Sequence, residues 1–270
     1  MVRPSIELGS GMGLEFNPGL GSPANEGGYV RRRFFVEQFD GLKAVMEGEA
    51  AHHLGRVLRA QAGQQYELSD GERAFLGRID VATRDRIEFV LEEELPAHKL
   101  RLDITLLLSV VKFDAFEWAL EKATELGVST IVPLAAARSE KGLLAAAEKR
   151  AERWRKILLE AAQQSRRLRV PALAGLVKVE GAFAKAASGA GVRVMLSELA
   201  SAGTLRTALA GQSGPEVWLA IGPEGGWTEG EFAAGEAAEF RQASLGRLIL
   251  RTETAVIAAL AAVNYALGED

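Results

Sequence analysis

The sequence contains no cysteine. That absence removes disulfides, zinc–thiolate sites, iron–sulfur clusters and every mechanism that needs a cysteine nucleophile. Histidine is almost as scarce. His52, His53 and His98 are the full set, which speaks against a histidine-rich catalytic metal site, and no metal is expected. No apolar run approaches the ~18–20 residues of a membrane span, and the opening segment has no apolar heart of a secretory signal. A cytoplasmic protein without membrane association is the expectation. Charge of one sign is also lacking: the formal net charge is –4. Such a balance does not advertise a nucleic-acid binder, so any such role must come from local basic clusters. What remains is 48% hydrophobic and 25% charged, the proportions of a globular protein. At roughly 150 residues per domain, 270 residues suggest two domains and a core that needs no staples.

Residues 1–28 hold seven glycines and three prolines without apolar periodicity. That composition does not bury enough surface to offset its ordering entropy, so a disordered tail is expected. The run Gly9-Ser10-Gly11-Met12-Gly13 lacks the preceding strand and following helix of a nucleotide loop. Residues 29–96 read as a small β-rich domain. An opening strand takes in Phe34, Phe35, Val36 and Phe39, and Ala50 to Leu58 supplies one or two helical turns. Three strand-like runs follow at Gln64–Ser69, Ala74–Val81 and Arg86–Glu92. Asp70-Gly71 between the first two is a hairpin signal, and short strands with tight turns suggest a small barrel. The acidic run Glu92-Glu93-Glu94 before Pro96 marks the boundary.

From residue 97 to 270 the pattern becomes alternating strand and helix. Apolar runs at Ile104–Val111, Thr130–Leu134, Val192–Leu196, Val217–Ile221 and Ala243–Leu245 are separated by helical segments, which argues for an α/β domain with a mainly parallel sheet. A helix opened by Asp114 ends at Gly127, a left-handed cap. Another, Ala147 to Ser165, puts Trp154 and Leu158 in an apolar stripe opposite Lys149, Arg153 and Lys156. Residues 149–169 hold eight Lys/Arg against two Glu. A solvated face is the plain reading of that run; the excess of one sign makes phosphate contact the competing one.

Two βα junctions carry chemistry. Ile221-Gly222-Pro223-Glu224-Gly225-Gly226-Trp227-Thr228 follows a buried strand, at the carboxyl edge where open α/β sheets bind ligands. Thr228 and Glu231 fit a capping box, so a helix starts just past the glycines. The spacing matches neither G-x-G-x-x-G nor a Walker loop. The second junction, Leu245-Gly246-Arg247-Leu248-Ile249-Leu250-Arg251-Thr252-Glu253-Thr254-Ala255, leads into an apolar helix over Val256–Leu267. Helix capping by Thr252 or Thr254 explains part of its polarity.

Taken together, these two segments resemble the bacterial 16S ribosomal RNA uracil-N3 methyltransferases, the RsmE-like members of the SPOUT superfamily. The block from Glu121 to Val128 with Pro133 and Arg138-Ser139, the block from Glu160 to Arg167 with Pro171, and His53 with Arg56 to Arg59 are similar to further motifs of that family. The resemblance covers about residues 31–268. In this chain Phe113 follows Lys112 where the family usually has glycine, and Gln163 stands where glutamate is common. The resemblance implies a PUA-like β-barrel followed by an α/β domain tied in a trefoil knot, working as a homodimer. It implies S-adenosylmethionine as cofactor and 16S rRNA, within the 30S subunit, as partner. The cofactor would lie on Leu196, Ser197 and Glu198; on Ile221, Gly222, Pro223, Glu224, Gly225 and Gly226; and on Leu245, Gly246, Leu250, Arg251, Thr252, Thr254 and Ala255. RNA would meet Arg32, Arg33, His53, Arg56, Arg59, Lys112, Arg138 and Arg167.

Methylation at the uracil ring nitrogen requires loss of its proton and in-line placement, and it needs no cysteine. The missing cysteine excludes the covalent route to carbon-5 methylation. Arg251 is the expected stabiliser of charge on the uracil carbonyls. Glu253 is either a base or the structural partner of Arg251. Two rival functions stay open: a related enzyme acting on a ribose 2′-hydroxyl, and a PUA-type RNA-binding protein that performs no transfer.

Overall fold

The computed structural model describes residues 30–57 and 59–268. The expectations for the tail and for the run at residues 9–13 lie outside the described residues, as do the side chains of Arg31 and Arg56.

The first part of the chain forms β1 (Val30–Phe35), β2 (Phe39–Asp40), β3 (Lys43–Glu47), α1 (Gly48–His52) running into a π-turn over His53–Val57, β4 (Gln65–Ser69), β5 (Ala74–Ala82) and β6 (Arg86–Leu95). These strands make one sheet in the order β1-β4-β5-β6-β3-β2, antiparallel except where β1 runs beside β4. Phe34, Tyr66, Leu68, Ile79, Ile87 and Phe89 fill its core together with Leu54 from the π-turn. The Asp70 carboxylate accepts from the Glu72 and Arg73 amides at 2.9 and 2.8 Å, and Gly71 takes φ +93°, so the expected hairpin turn is built by side chain and glycine together. Phe39, expected in the opening strand, starts the separate strand β2 instead, and β3 escapes the sequence reading. Ala44 and Met46 alternate inward on β3, but two buried residues in a five-residue strand make a faint period-2 signal.

The second part runs β7 (Asp103–Ser109), α2 (Phe113–Glu125), β8 (Thr130–Ala135), α3 (Lys141–Gln164), β9 (Ala172–Leu173), β10 (Val177–Lys178), α4 (Val179–Ala187), β11 (Val192–Leu196), β12 (Gly203–Thr204), α5 (Leu205–Leu209), β13 (Glu216–Ile221), α6 (Glu229–Ala237), β14 (Arg241–Ser244) and α7 (Thr252–Leu267). Its sheet follows the order β10-β8-β7-β13-β11-β14-β12, with β9 also on β8, and every pair is parallel. Buried parallel strands are apolar on both faces. Leu106 and Leu108 face the layer of α2, α3 and α7, while Leu107 faces the layer that includes Phe183 of α4. This is a helix–sheet–helix sandwich.

Helix α2 ends at Gly127, φ +88°, with Val128 N–H on the Ala123 carbonyl, as its sequence implies. Its start differs by one residue: Lys112 is the N-cap, without a side-chain cap bond, and Asp114 lies in the first turn. Helix α3 ends in the same motif, but Arg166 occupies the left-handed position at φ +57°. A non-glycine residue there is strained, and the surroundings hold it. The Arg166 guanidinium pairs with Glu67 of β4, which also takes Arg33 of β1 at 3.0 Å. The Ser69 hydroxyl lies 2.9 Å from the Leu168 carbonyl, and the Arg169 Nε donates to the Gly71 carbonyl. The two sheets are therefore fastened by a polar seam at the end of α3. Among the described residues no helix is long and apolar enough to cross a membrane.

Candidate active site

Strands β11, β13 and β14 lie side by side, so their carboxyl ends bring three loops together. Between the loops is a cleft of about 220 Å³, walled by Leu196–Leu199, by Ile221–Glu224 with Gly226 and Trp227, and by Ala243–Leu250. Thr252 and Ala255 of α7 close its floor. Its lining mixes apolar residues such as Leu196, Ile221 and Leu250 with glycines, Ser197, Thr252 and the acidic Glu198, a lining suited to a ligand with an apolar body and polar ends.

Each loop is held by its neighbours. Thr228 and Glu231 form the full capping box that starts α6, and the Glu231 carboxylate also accepts from the Ala137 amide at 2.8 Å. The Trp227 Nε1–H donates to the Leu196 carbonyl at 2.9 Å, joining the loop after β13 to the one after β11. Arg138 donates from Nη1 to the carbonyls of Gly225 and Trp227 at 2.7 and 3.1 Å. The glycines are needed for space. A Cβ on Gly222 would come within 3.0 Å of the Trp227 ring. One on Gly226, at φ +68°, would meet the Glu198 carboxylate at 3.2 Å.

A family model described as an RNA methyltransferase domain matches residues 98–264, and one described as an RNA methyltransferase PUA domain matches residues 47–92. A Synechocystis protein named ribosomal RNA small subunit methyltransferase E is 35% identical over 80% of this chain and 71% of its own length. The chain belongs to this family of RNA methyltransferases. Among solved structures, the small subunit methyltransferase E of Neisseria gonorrhoeae bound to S-adenosyl methionine is 30% identical. It superposes with a TM-score of 0.78 over 88% of this chain and 98% of that one. A Legionella pneumophila protein in complex with S-adenosylmethionine is 28% identical, with a TM-score of 0.77 over 89% and 100%.

Within this methyltransferase the structure brings most of the sequence-predicted cofactor residues to one place. Leu196, Ser197, Glu198, Ile221, Gly222, Pro223, Glu224, Gly226, Leu245, Gly246, Leu250, Thr252 and Ala255 all line the cleft. Gly225, Arg251 and Thr254 do not. Gly225 packs on the Arg138 side chain, where an added Cβ would sit 3.2 Å from the Arg138 Cβ. Arg251 is the exposed N-cap of α7, with Glu253 half-buried in the first turn. Two capping expectations are corrected. Helix α7 starts at Thr252, four residues before Val256, and neither threonine hydroxyl caps it. Thr252 is instead buried, with its hydroxyl 3.4 Å from the Gly222 carbonyl. Nor is Glu253 the ion-pair partner of Arg251: among the described residues no such bridge forms. Trp227, Phe232 and Arg247 line the cleft without having been singled out. The signal for Trp227 was present, since an indole beside a glycine loop needs an acceptor for its N–H.

The expected RNA contacts scatter. Arg59, Lys112 and Arg138 are exposed, whereas Arg32 and His53 are half-buried. Arg33 is corrected: it is 5% exposed and spent on Glu67 and on the Arg166 carbonyl. Arg167 is half-buried, its Nη1 held by the carbonyls of Thr124 and Val128. Most of the basic run is likewise committed. Arg150 and Arg153 pair with Glu117 of α2, Lys156 with Glu49, Arg166 with Glu67 and Arg169 with Glu72. Charge count alone hid these acids because they lie far away in sequence.

Proposed function

We propose that the chain transfers a methyl group from S-adenosylmethionine to N3 of a uridine in 16S rRNA, acting in the cytoplasm on rRNA within the small subunit. The observation that carries this is the cleft where three βα loops meet, because its lining fits the cofactor. Gly222 and Gly226 leave backbone groups bare, and the Glu198 carboxylate offers a counter-charge to a sulfonium. When bound, S-adenosylmethionine supplies an electrophilic methyl carbon. The three loops would hold its adenine and methionine parts through backbone groups, with Thr252 and Ala255 beneath. Arg251, at the rim, would steady the negative charge left on the uracil carbonyls as the N3 proton leaves. Glu253, in the first turn of α7, is the carboxylate nearest in sequence to take that proton. The target base must leave its stack to enter.

Division of labour follows the two sheets, with the boundary near residue 96. The amino-terminal sheet serves as the PUA-like RNA reader, with Arg32, His53, Arg56 and Arg59; Lys112 and Arg138 meet RNA beside the cleft. Leu248 and Ile249 support the homodimer, since both are more than 80% exposed on the cleft rim and need an apolar cover. The trefoil knot belongs to these same loops through the family resemblance. Calorimetry tests the cofactor assignment: the full chain should bind S-adenosylmethionine and Gly226→Val should not, whereas unchanged affinity in that variant would remove the loop from the site.

A further inference from the structure

The opposite edge of the parallel sheet carries a second depression. Asp103, Thr130, Ala172 and Pro215 stand at or just before the starts of β7, β8, β9 and β13, and all four line a groove of about 1150 Å³ between the two sheets. Six residues of β13 at roughly 3.3 Å each put this groove about 20 Å from the cleft, so the two sites do not compete for a ligand.

The walls of this groove are basic although the chain is acidic. Lys99 and Arg101 come from the connector between the sheets, and Arg166, Arg167 and Arg169 from the turn after α3. Arg166 is balanced by Glu67 and Arg169 by Glu72, and of the two acids in the lining, Asp103 and Glu125, the second is held by Lys122 at 2.9 Å. Lys99, Arg101 and Arg167 are less well matched. Lys99 and Arg101 are exposed, and Arg101 has one long contact, 3.5 Å to the Gly268 carbonyl. Arg167 is the most telling. Its Nη1 is fixed on two carbonyls, its Nε is buried without a partner, and among the described residues no carboxylate pairs with it. Burial alone holds its pKa down to about 10, so at neutral pH it is a half-buried cation lacking a counter-charge. Removing such a charge from water is unfavourable until an anion arrives. The guanidinium is also pre-oriented by its carbonyl contacts, so less freedom is lost when an anion binds.

We infer that this groove grips the phosphodiester backbone of the RNA substrate at a distance from the reacting base. The inference rests on the chain being an rRNA methyltransferase. A small anion fits the observations less well. The volume is many times that of one phosphate, and the cations come from separate segments along the wall, as a run of phosphates requires. Phosphate contacts of this kind set register and affinity without reading sequence.

The test uses the full chain carrying Lys99→Glu and Arg101→Glu, two exposed positions whose change leaves both cores intact. Binding to unmethylated 16S rRNA transcript is measured across a salt series, alongside calorimetry with S-adenosylmethionine and with inorganic phosphate. The double variant should bind rRNA at least roughly tenfold more weakly near 0.15 M salt, with a log K against log salt slope shallower by about 1–2 and unchanged cofactor affinity. Parent-like rRNA affinity and slope would overturn the groove, as would loss of phosphate binding with rRNA binding intact. A parent chain that binds no rRNA would instead overturn the methyltransferase assignment beneath it.

Discussion

The Arg138 guanidinium lies 2.7 Å from the Gly225 carbonyl, 87 residues away in sequence. Arg138 is in the loop after β8, which also sends the Ala137 amide to Glu231. Three bonds, two from Arg138 and one from the Ala137 amide, thus tie that loop to the glycine loop and to the helix it opens. A residue expected on sequence grounds to meet RNA is also the clasp of the glycine loop proposed to hold the cofactor.

Arg138→Ala should therefore weaken S-adenosylmethionine more than it weakens the fold. Hydrogen bonds to a charged group contribute about 1.5–3 kcal/mol, so Kd should rise on the order of tenfold, while the melting temperature moves little because Arg138 is exposed. Calorimetry and a melt on one sample separate the two effects. Parent-like affinity would show that the loop stands without its clasp.

The Arg33–Glu67 pair predicts a different response. Both side chains are out of water, at 6% and 0% exposure. Glu67→Ala leaves a buried guanidinium uncompensated, which destabilises by roughly 3–5 kcal/mol and should lower the melting temperature by about 10 °C. The paired change Arg33→Met with Glu67→Leu should recover most of that loss. If the single change leaves the melt unaltered, the seam is not what fastens the sheets.

Arg251 separates catalysis from architecture. Among the described residues Arg251 forms no ion pair, so its removal breaks no bridge there. Arg251→Ala should lower kcat by ~10²–10³-fold with cofactor affinity and melting temperature near parent values, and Arg251→Lys should rescue little, because a point charge does not replace the planar fork. Loss of cofactor affinity with normal kcat at saturation would make Arg251 a part of the scaffold.

The strong local signals in the sequence carried through to the structure. The apolar runs of β7, β8, β11 and β13, the Gly127 cap and the Thr228–Glu231 box each have a local physical cause, and each forms as read. Thirteen of the expected cofactor positions converge because they follow strands of one parallel sheet. The failures are nonlocal. Nothing beside Arg33 in sequence announces Glu67, and nothing beside Arg153 announces Glu117. The basic run therefore looked freer than it is. The early start of α7 was hidden by its polar first turn, where Thr252 points inward rather than capping.

The most direct test of the account is methyl transfer to unmethylated 16S rRNA with the full chain and S-adenosylmethionine, followed by nucleoside mass spectrometry and primer extension. A methyl on N3 occupies the pairing edge of the base, so the account predicts 3-methyluridine in the digest and a single new extension stop at a uridine. A ribose-methylated nucleoside in its place, or rRNA bound but left unmodified, would contradict it.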